Sequence, residues 1–208
     1  MLRTLLLYAL SGFISLGYQV AWFRIFTRWF GSTSLTFATV ITAFVGGIAV
    51  GALLSERLAG WLRHRLGLAD RFRLCGVIEL LVATTLVLTA VTQYLPGWFW
   101  GEFPYRLAAG IWVPTRLYEA GQVAVAGACI FLPCIFMGAT FPLLTSAFSA
   151  AAHQSRFPSA LYAANTLGAC LGVLACQFLF LPWIGHAAML WLLVTANVLL
   201  GLYFLIRG

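Results

Sequence analysis

Glu79 is one of five acidic residues in this 208-residue chain and lies inside a run of Leu, Val, Ile, Ala and Thr. A carboxylate in such a run can hold a cation, relay a proton or pair with an arginine, because an unpartnered one in hydrocarbon is costly. The alternative is a protonated acid hydrogen-bonded to a neighbour. Cys75, Gly76, Val82 and Ala83 share its helical face, and a face of mostly small residues means that another helix presses there. Asn165 has similar company, on a face with Gly168, Ala169 and Gly172. Asn197, in the last apolar run, is a third candidate for this inner polar group. For both asparagines the competing reading is a hydrogen bond to a neighbouring helix.

A second polar group stands toward the other side. Gly12, Ser15, Gln19 and Trp22 recur at helical spacing in the first apolar run, and Glu119, Gln122, Ala126, Cys129 and Pro133 share a face of the fourth. A primary amide in lipid needs a partner, so Gln19 and Trp22 are expected to form one wall of an outer group with Glu119 and Gln122. Arg24 and Arg116 could pair with Glu119. Arg24 lies about 140° from Gln19 around a helix of 3.6 residues per turn, so its alternative is an interfacial anchor that reaches the headgroups. His153 and His186 are read as loop residues, and His64 stands among arginines, none with ligand spacing.

The elements that carry these residues are apolar. The chain is 62% hydrophobic and 8% charged, with mean hydropathy +0.98, against about a quarter charged residues in a soluble domain. A single globular core of this size cannot hide so much apolar surface. The composition therefore indicates an integral membrane protein. The net charge of +7 does not indicate nucleic acid, because the twelve basic residues are all arginines at the ends of apolar runs, a pattern of membrane orientation. Cys75, Cys129, Cys134, Cys170 and Cys176 lie in apolar runs without a C-x-x-C pair. They read as small hydrophobes, and neither a disulfide nor a metal site is expected. There is no glycine-rich nucleotide loop, no G-x-S-x-G and no H-E-x-x-H, so no catalytic residue and no cofactor is expected.

Crossing the hydrocarbon takes about 20 apolar residues. Six runs qualify: about Thr4–Thr27, Ser34–Leu54, Phe72–Tyr94, Leu117–Leu144, Ser159–Leu181 and Ala187–Ile206. The expected fold class is all-α, a polytopic membrane protein forming one transmembrane domain over residues 1–208. Arg3, Arg57, Arg63, Arg65, Arg71, Arg73, Arg156 and Arg207 then share one side, and Arg24, Arg28, Arg106 and Arg116 the other. That bias puts both termini in the cytoplasm, with the Glu56–Arg73 loop as its strongest part. The N-terminal run lacks a cleavage site and is read as a retained helix. Pro96–Thr115 is rich in aromatics, including Trp98, Trp100 and Trp112. It is expected to lie at the outer headgroup layer with room for a short interfacial helix; a stacking platform for a sugar or quinone is the alternative. Gly47–Gly51 and Gly168–Gly172 are both G-x-x-x-G pairs, which mark close helix packing. Pro133 and Pro142 predict kinks in the fourth helix.

Ser11-Gly-Phe-Ile-Ser-Leu-Gly-Tyr-Gln-Val-Ala-Trp-Phe-Arg24, Phe30-Gly-Ser-Thr33 with Ala43-Phe-Val-Gly-Gly-Ile-Ala-Val-Gly51, Phe136-Met-Gly-Ala-Thr-Phe-Pro-Leu-Leu144 and Leu161-Tyr-Ala-Ala-Asn-Thr-Leu-Gly-Ala169 follow one another along the chain. Together they resemble the multispanning membrane domain of spermidine synthase-like (polyamine aminopropyltransferase-like) fusion proteins. That domain is itself similar to half of a major-facilitator transporter, and Gly51-Ala-Leu-Leu-Ser-Glu-Arg57 is a loose echo of that superfamily's loop after its second helix. The resemblance implies a bacterial inner (cytoplasmic) membrane module. In the fused proteins a cytoplasmic Rossmann-like domain follows the helices. Its nucleotide-binding glycines and catalytic carboxylates have no counterpart in the residues up to Gly208, so no enzymatic activity carries over.

The expected function is a membrane module, non-catalytic alone, with a polar cavity among Gln19, Trp22, Arg24, Glu79, Glu119, Gln122 and Asn165. It would sit in the lipid bilayer and act with a partner protein, as anchor or substrate conduit. A transferase-like partner would dock on the Arg57–Arg73 stretch. Two other readings remain: a structural subunit of a larger membrane complex, and a half-transporter that dimerises.

Overall fold

The computed structural model describes residues 2–92, 105–149 and 157–207. Apart from one β-hairpin these are helical, as expected for a chain whose backbone groups must be satisfied within lipid. Helix α1 runs over Leu2–Phe30, α2 over Ser34–Leu66, α3 over Arg71–Thr92, α4 over Arg116–Ser149, α5 over Phe157–Ala175 and α6 over Leu181–Arg207. A π-helical turn, Cys176–Phe180, joins α5 to α6. Among the described residues, four helical stretches are long and apolar enough to cross a membrane: Leu2–Phe30, Ser34–Leu66, Arg116–Ala147 and the 51-residue run Phe157–Arg207.

Local chemistry sets the boundaries. Gly31 takes φ +83° to turn the chain between α1 and α2, and the Thr33 hydroxyl caps α2 by accepting from the Thr36 N–H at 3.1 Å. The expected end of the second helix near Leu54 is corrected: α2 continues to Leu66, where Gly67 closes it in the left-handed region. The arginines at 57, 63 and 65 thus ride on about three further helical turns rather than on a loop. Charge ended the continuous apolar run, but Ser55, Ala59 and Leu62 keep one buried face at helical spacing. The link back to α3 is pinned by an Arg71–Glu56 ion pair of 2.7 Å and by Arg71 donating to Ser146.

The expected interfacial helix is also corrected where the chain is described. Tyr105–Ala108 (β1) and Ile111–Pro114 (β2) pair antiparallel, with Ala108 opposite Ile111. The two-residue turn has positive φ at both Ala109 (50°) and Gly110 (77°), the type I′ form that matches strand twist. Pro96–Pro104, with Trp98 and Trp100, lies outside the described residues. Pro133 and Pro142 are accommodated within an α4 that stays helical through both. His186 is corrected from a loop to the start of the last helical stretch, where Nε2 lies 3.2 Å from the Ala21 carbonyl.

Small residues decide how the helices pair. A Cβ at Gly168 would strike the Ala9 carbonyl, and one at Gly172 the Phe13 carbonyl, so α1 and α5 run parallel in backbone contact. Helices α2 and α4 do the same through Gly47 against Cys134, Gly51 against Ile135 and Gly138 against Ile48. Helices α3 and α6 run antiparallel, with Gly76 against Gly201 and Leu205. Since α5 is parallel to α1, and α6 runs against it (Gly17 beside Leu193, Ala21 beside His186), the chain reverses within the 51-residue run. Gly185, at φ 77° and ψ 171°, lies where it does so. The first and last described turns therefore meet at one end of the bundle. Trp22, Tyr18, Phe26, Ile78 and Leu143 fill the interior, whereas Leu53 (84% exposed), Trp183 (85%) and Ile206 (76%) face outward. An outward apolar surface of this kind suits a lipid solvent.

Candidate functional site

Glu79 is 5% exposed and sits where α1, α3 and α6 meet. Its Oε1 accepts from the Ser11 hydroxyl at 2.9 Å, and its Oε2 from the Asn197 amide at 2.6 Å. The small face of α3 is what allows this: Cys75 and Val82 are buried beside Glu79, and Gly76 lets α6 close in. Both carboxylate oxygens are thus held by neutral donors, and no arginine among the described residues lies within ion-pair distance. The Asn197 Oδ1 is buried with no partner, as are the Tyr18 hydroxyl and the Trp22 indole N–H. Buried polar atoms are almost always paired, so the Asn197 Oδ1 beside Glu79 marks a place with unused hydrogen-bonding capacity, and Tyr18 and Trp22 hold two more such atoms farther along α1.

Ser11 has a second role. It lines a cavity of about 230 Å³ between the α1/α5 and α2/α4 pairs, together with Ser15, Thr140 and Asn165. Tyr8, Phe141 and Tyr162 frame it. The Tyr8 and Phe141 rings stack at 6.1 Å, and Phe141 meets Tyr162 edge-on at 6.2 Å. Tyr162 is 63% exposed, so the cavity opens on its side. Asn165 is held against α1, with its carbonyl and Oδ1 where a Cβ on Gly12 would go. The lining is neutral, offering hydroxyls and an amide; the carboxyl group of Glu79 stands one residue behind it, through Ser11. The volume is below the roughly 300–1,000 Å³ of ordinary ligand pockets, which limits an occupant to a small molecule or one end of a longer one.

The inner group is thus brought together. Glu79 and Asn197 bond directly, and Asn165 joins them by way of the cavity wall and Ser11. The outer group is not joined by any hydrogen bond or ion pair among the described residues. Gln122 is buried and Gln19 half-buried, while Arg24 and Glu119 are exposed. Glu119 lies in the first turn of α4, where a negative charge suits the helix dipole, and neither Arg24 nor Arg116 pairs with it. Trp22 turns instead toward Tyr18 and Phe44, with ring centroids at 6.1 and 6.4 Å.

Ser11, Tyr8, Tyr18 and Thr140 are the site residues that the sequence reading passed over. Ser11, Ser15, Tyr18 and Trp22 form one stripe, spaced by three or four residues. The stripe through Gly12 and Gln19 is its neighbour, rotated by less than a quarter turn. The sequence reading followed Gly12, Ser15, Gln19 and Trp22, sharing Ser15 and Trp22 with that stripe, and did not single out the Ser11 and Tyr18 hydroxyls. Compared with family models, with curated proteins and with solved structures, the chain matches none.

Proposed function

We propose that the chain is a six-span membrane module with both ends on the cytoplasmic side. In this reading it holds a small polar or cationic ligand in the cavity between its two parallel helix pairs and works with a partner protein, as its anchor or as a conduit for that ligand. The observation that carries the reading is Glu79, a buried carboxylate held only by neutral donors and linked through Ser11 to the cavity wall. A chain that needed only a hydrogen-bonded core would not keep an acid there, since an amide or hydroxyl makes the same bonds without the desolvation cost. The reversal at Gly185 and the arginine distribution support six spans with this orientation. The four sequence blocks that resemble the membrane domain of spermidine synthase-like fusion proteins support a transferase-like partner and a bacterial inner membrane. The exposed arginines on the α2 extension, Arg57 and Arg65, are the surface on which such a partner docks.

Co-purification of the tagged chain from native membranes tests this. A transferase-like protein is expected, lost when Arg57 and Arg65 are replaced by Gln, and its activity in membranes should fall with Glu79→Gln. Partner activity that is indifferent to Glu79→Gln would remove the central residue from the account.

One observation favours a second reading, a structural subunit of a larger complex. An outward apolar groove of about 360 Å³ between α2 and α4 is lined by Thr39, Thr42, Ala43, Val123, Gly127 and Phe131. It could seat a neighbouring subunit's helix. Both G-x-x-x-G pairs, however, are used inside the chain, which weakens that reading and the dimeric half-transporter alike. A stoichiometric large complex in the same co-purification would favour the subunit reading.

A further inference from the structure

At the end of the bundle where the first and last helical turns meet, a cavity of about 360 Å³ is lined by Arg3 and Thr4 of α1, Phe72 of α3, and Tyr203 and Arg207 of α6. We infer that this cavity is a binding site for the phosphate headgroup of an anionic phospholipid. It lies outside the Glu79 cavity and does not depend on what that cavity holds.

Three observations point to an anion. Both guanidiniums are exposed, and neither forms an ion pair among the described residues, where the pair is Arg71–Glu56. Arg3 stands in the first turn of α1, which carries no acidic residue. A cation there opposes the helix dipole, and the free N–H groups of that turn add to the positive field. An anion between Arg3 and Arg207 turns that repulsion into attraction. The Thr4 and Tyr203 hydroxyls complete a donor set suited to phosphate oxygens.

Two observations point to a lipid rather than free phosphate. Depth is the first. Arg3 and Arg24 are about 32 Å apart along α1 at 1.5 Å per residue, close to the roughly 30 Å of hydrocarbon. With Arg24 at one headgroup layer, Arg3 lies at the other. The second is the apolar part of the site. Leu7 of α1 and Phe204 of α6, each about one turn deeper than the arginine on its own helix, line the cavity, and Leu2, Leu6 and Ile206 nearby face outward at 70%, 62% and 76% exposure. That surface gives acyl chains a path down the outside of α1 and α6. Basic pockets between helix ends at the cytoplasmic face are the usual seats of anionic headgroups.

Native mass spectrometry of the purified full chain, loaded with phosphatidylglycerol or phosphatidylcholine, tests the site. Phosphatidylglycerol should be retained about tenfold more than phosphatidylcholine. The excess should vanish in the Arg3→Gln/Arg207→Gln variant and persist in Arg24→Gln/Arg28→Gln, at the opposite end. Thr4→Val/Tyr203→Phe keeps both charges and guards against misfolding of the first variant; it should lose a few-fold. Equal retention of the two lipids, or an equal loss in the Arg24/Arg28 variant, would overturn the site. Displacement of the lipid by millimolar inorganic phosphate would overturn its assignment to a lipid.

Discussion

The two polar groups of this molecule have similar ingredients and different fates. The inner one is an acid, two asparagines and a serine; the outer one is an acid, two glutamines, a tryptophan and an arginine. In the inner group the polar residues lie on faces of small residues, so Gly76, Gly201, Gly168 and Gly172 bring their helices into backbone contact and their side chains into bonding range. In the outer group Arg24 and Glu119 end at the surface, while Gln19, Trp22 and Gln122 are drawn inward without bonding to one another. What makes a polar residue part of a site in this fold is the size of its neighbours more than its own chemistry.

The largest effect should come from the packing beneath the inner group. Gly168→Val drives a side chain into the Ala9 carbonyl and separates α1 from α5, at a cost of about 3 kcal/mol. Thermal unfolding in mild detergent should fall sharply, whereas Gly127→Val, which faces open space, should leave it unchanged. A smaller loss is expected when a donor to Glu79 is removed. Ser11→Ala and Asn197→Leu should each cost about 1 kcal/mol. Their double-mutant cycle should show coupling of about 0.5 kcal/mol or more, because both act on one carboxylate. Gln19→Leu combined with Gln122→Leu should be additive, and coupling there as strong as in the inner pair would erase the distinction between the groups. The smallest change concerns the hairpin. Ala109→Asn places a residue suited to positive φ in the type I′ turn and should protect the β1–β2 amides from hydrogen exchange by a few tenths of a kcal/mol. The Glu79 bonds should not respond.

The helical runs were legible because lipid allows few other structures and hydrophobic length measures them directly. Four helical stretches are long and apolar enough to cross a membrane, and the expected fifth and sixth runs fall within one of them, joined by a π turn and divided at Gly185. The α2 extension was not legible from hydropathy, since Arg57, Arg63 and Arg65 end an apolar run without ending a helix; Gly67 does that. The hairpin did carry a signal, a two-residue Ala109-Gly110 turn between short β-prone segments, which the surrounding aromatics obscured. For the site, Glu79 and its small face were readable from spacing, and so was the pairing of α3 with another helix. Which α1 residue would reach it was not. Ser11 and Gly12 are adjacent, and it is the packing of Gly12 on Asn165 of α5 that leaves the Ser11 hydroxyl to meet the carboxylate.

The central claim is that ligand chemistry belongs to Glu79 and its cavity, not to the outer group. Binding of radiolabelled spermidine, as the probe cation, to the purified full chain in lipid nanodiscs tests it most directly, comparing Glu79→Gln with Glu119→Gln. The account predicts saturable binding to the unmodified protein, weakened about tenfold or more by Glu79→Gln and unchanged by Glu119→Gln. No saturable binding, binding unaffected by Glu79→Gln, or binding lost with Glu119→Gln would contradict it.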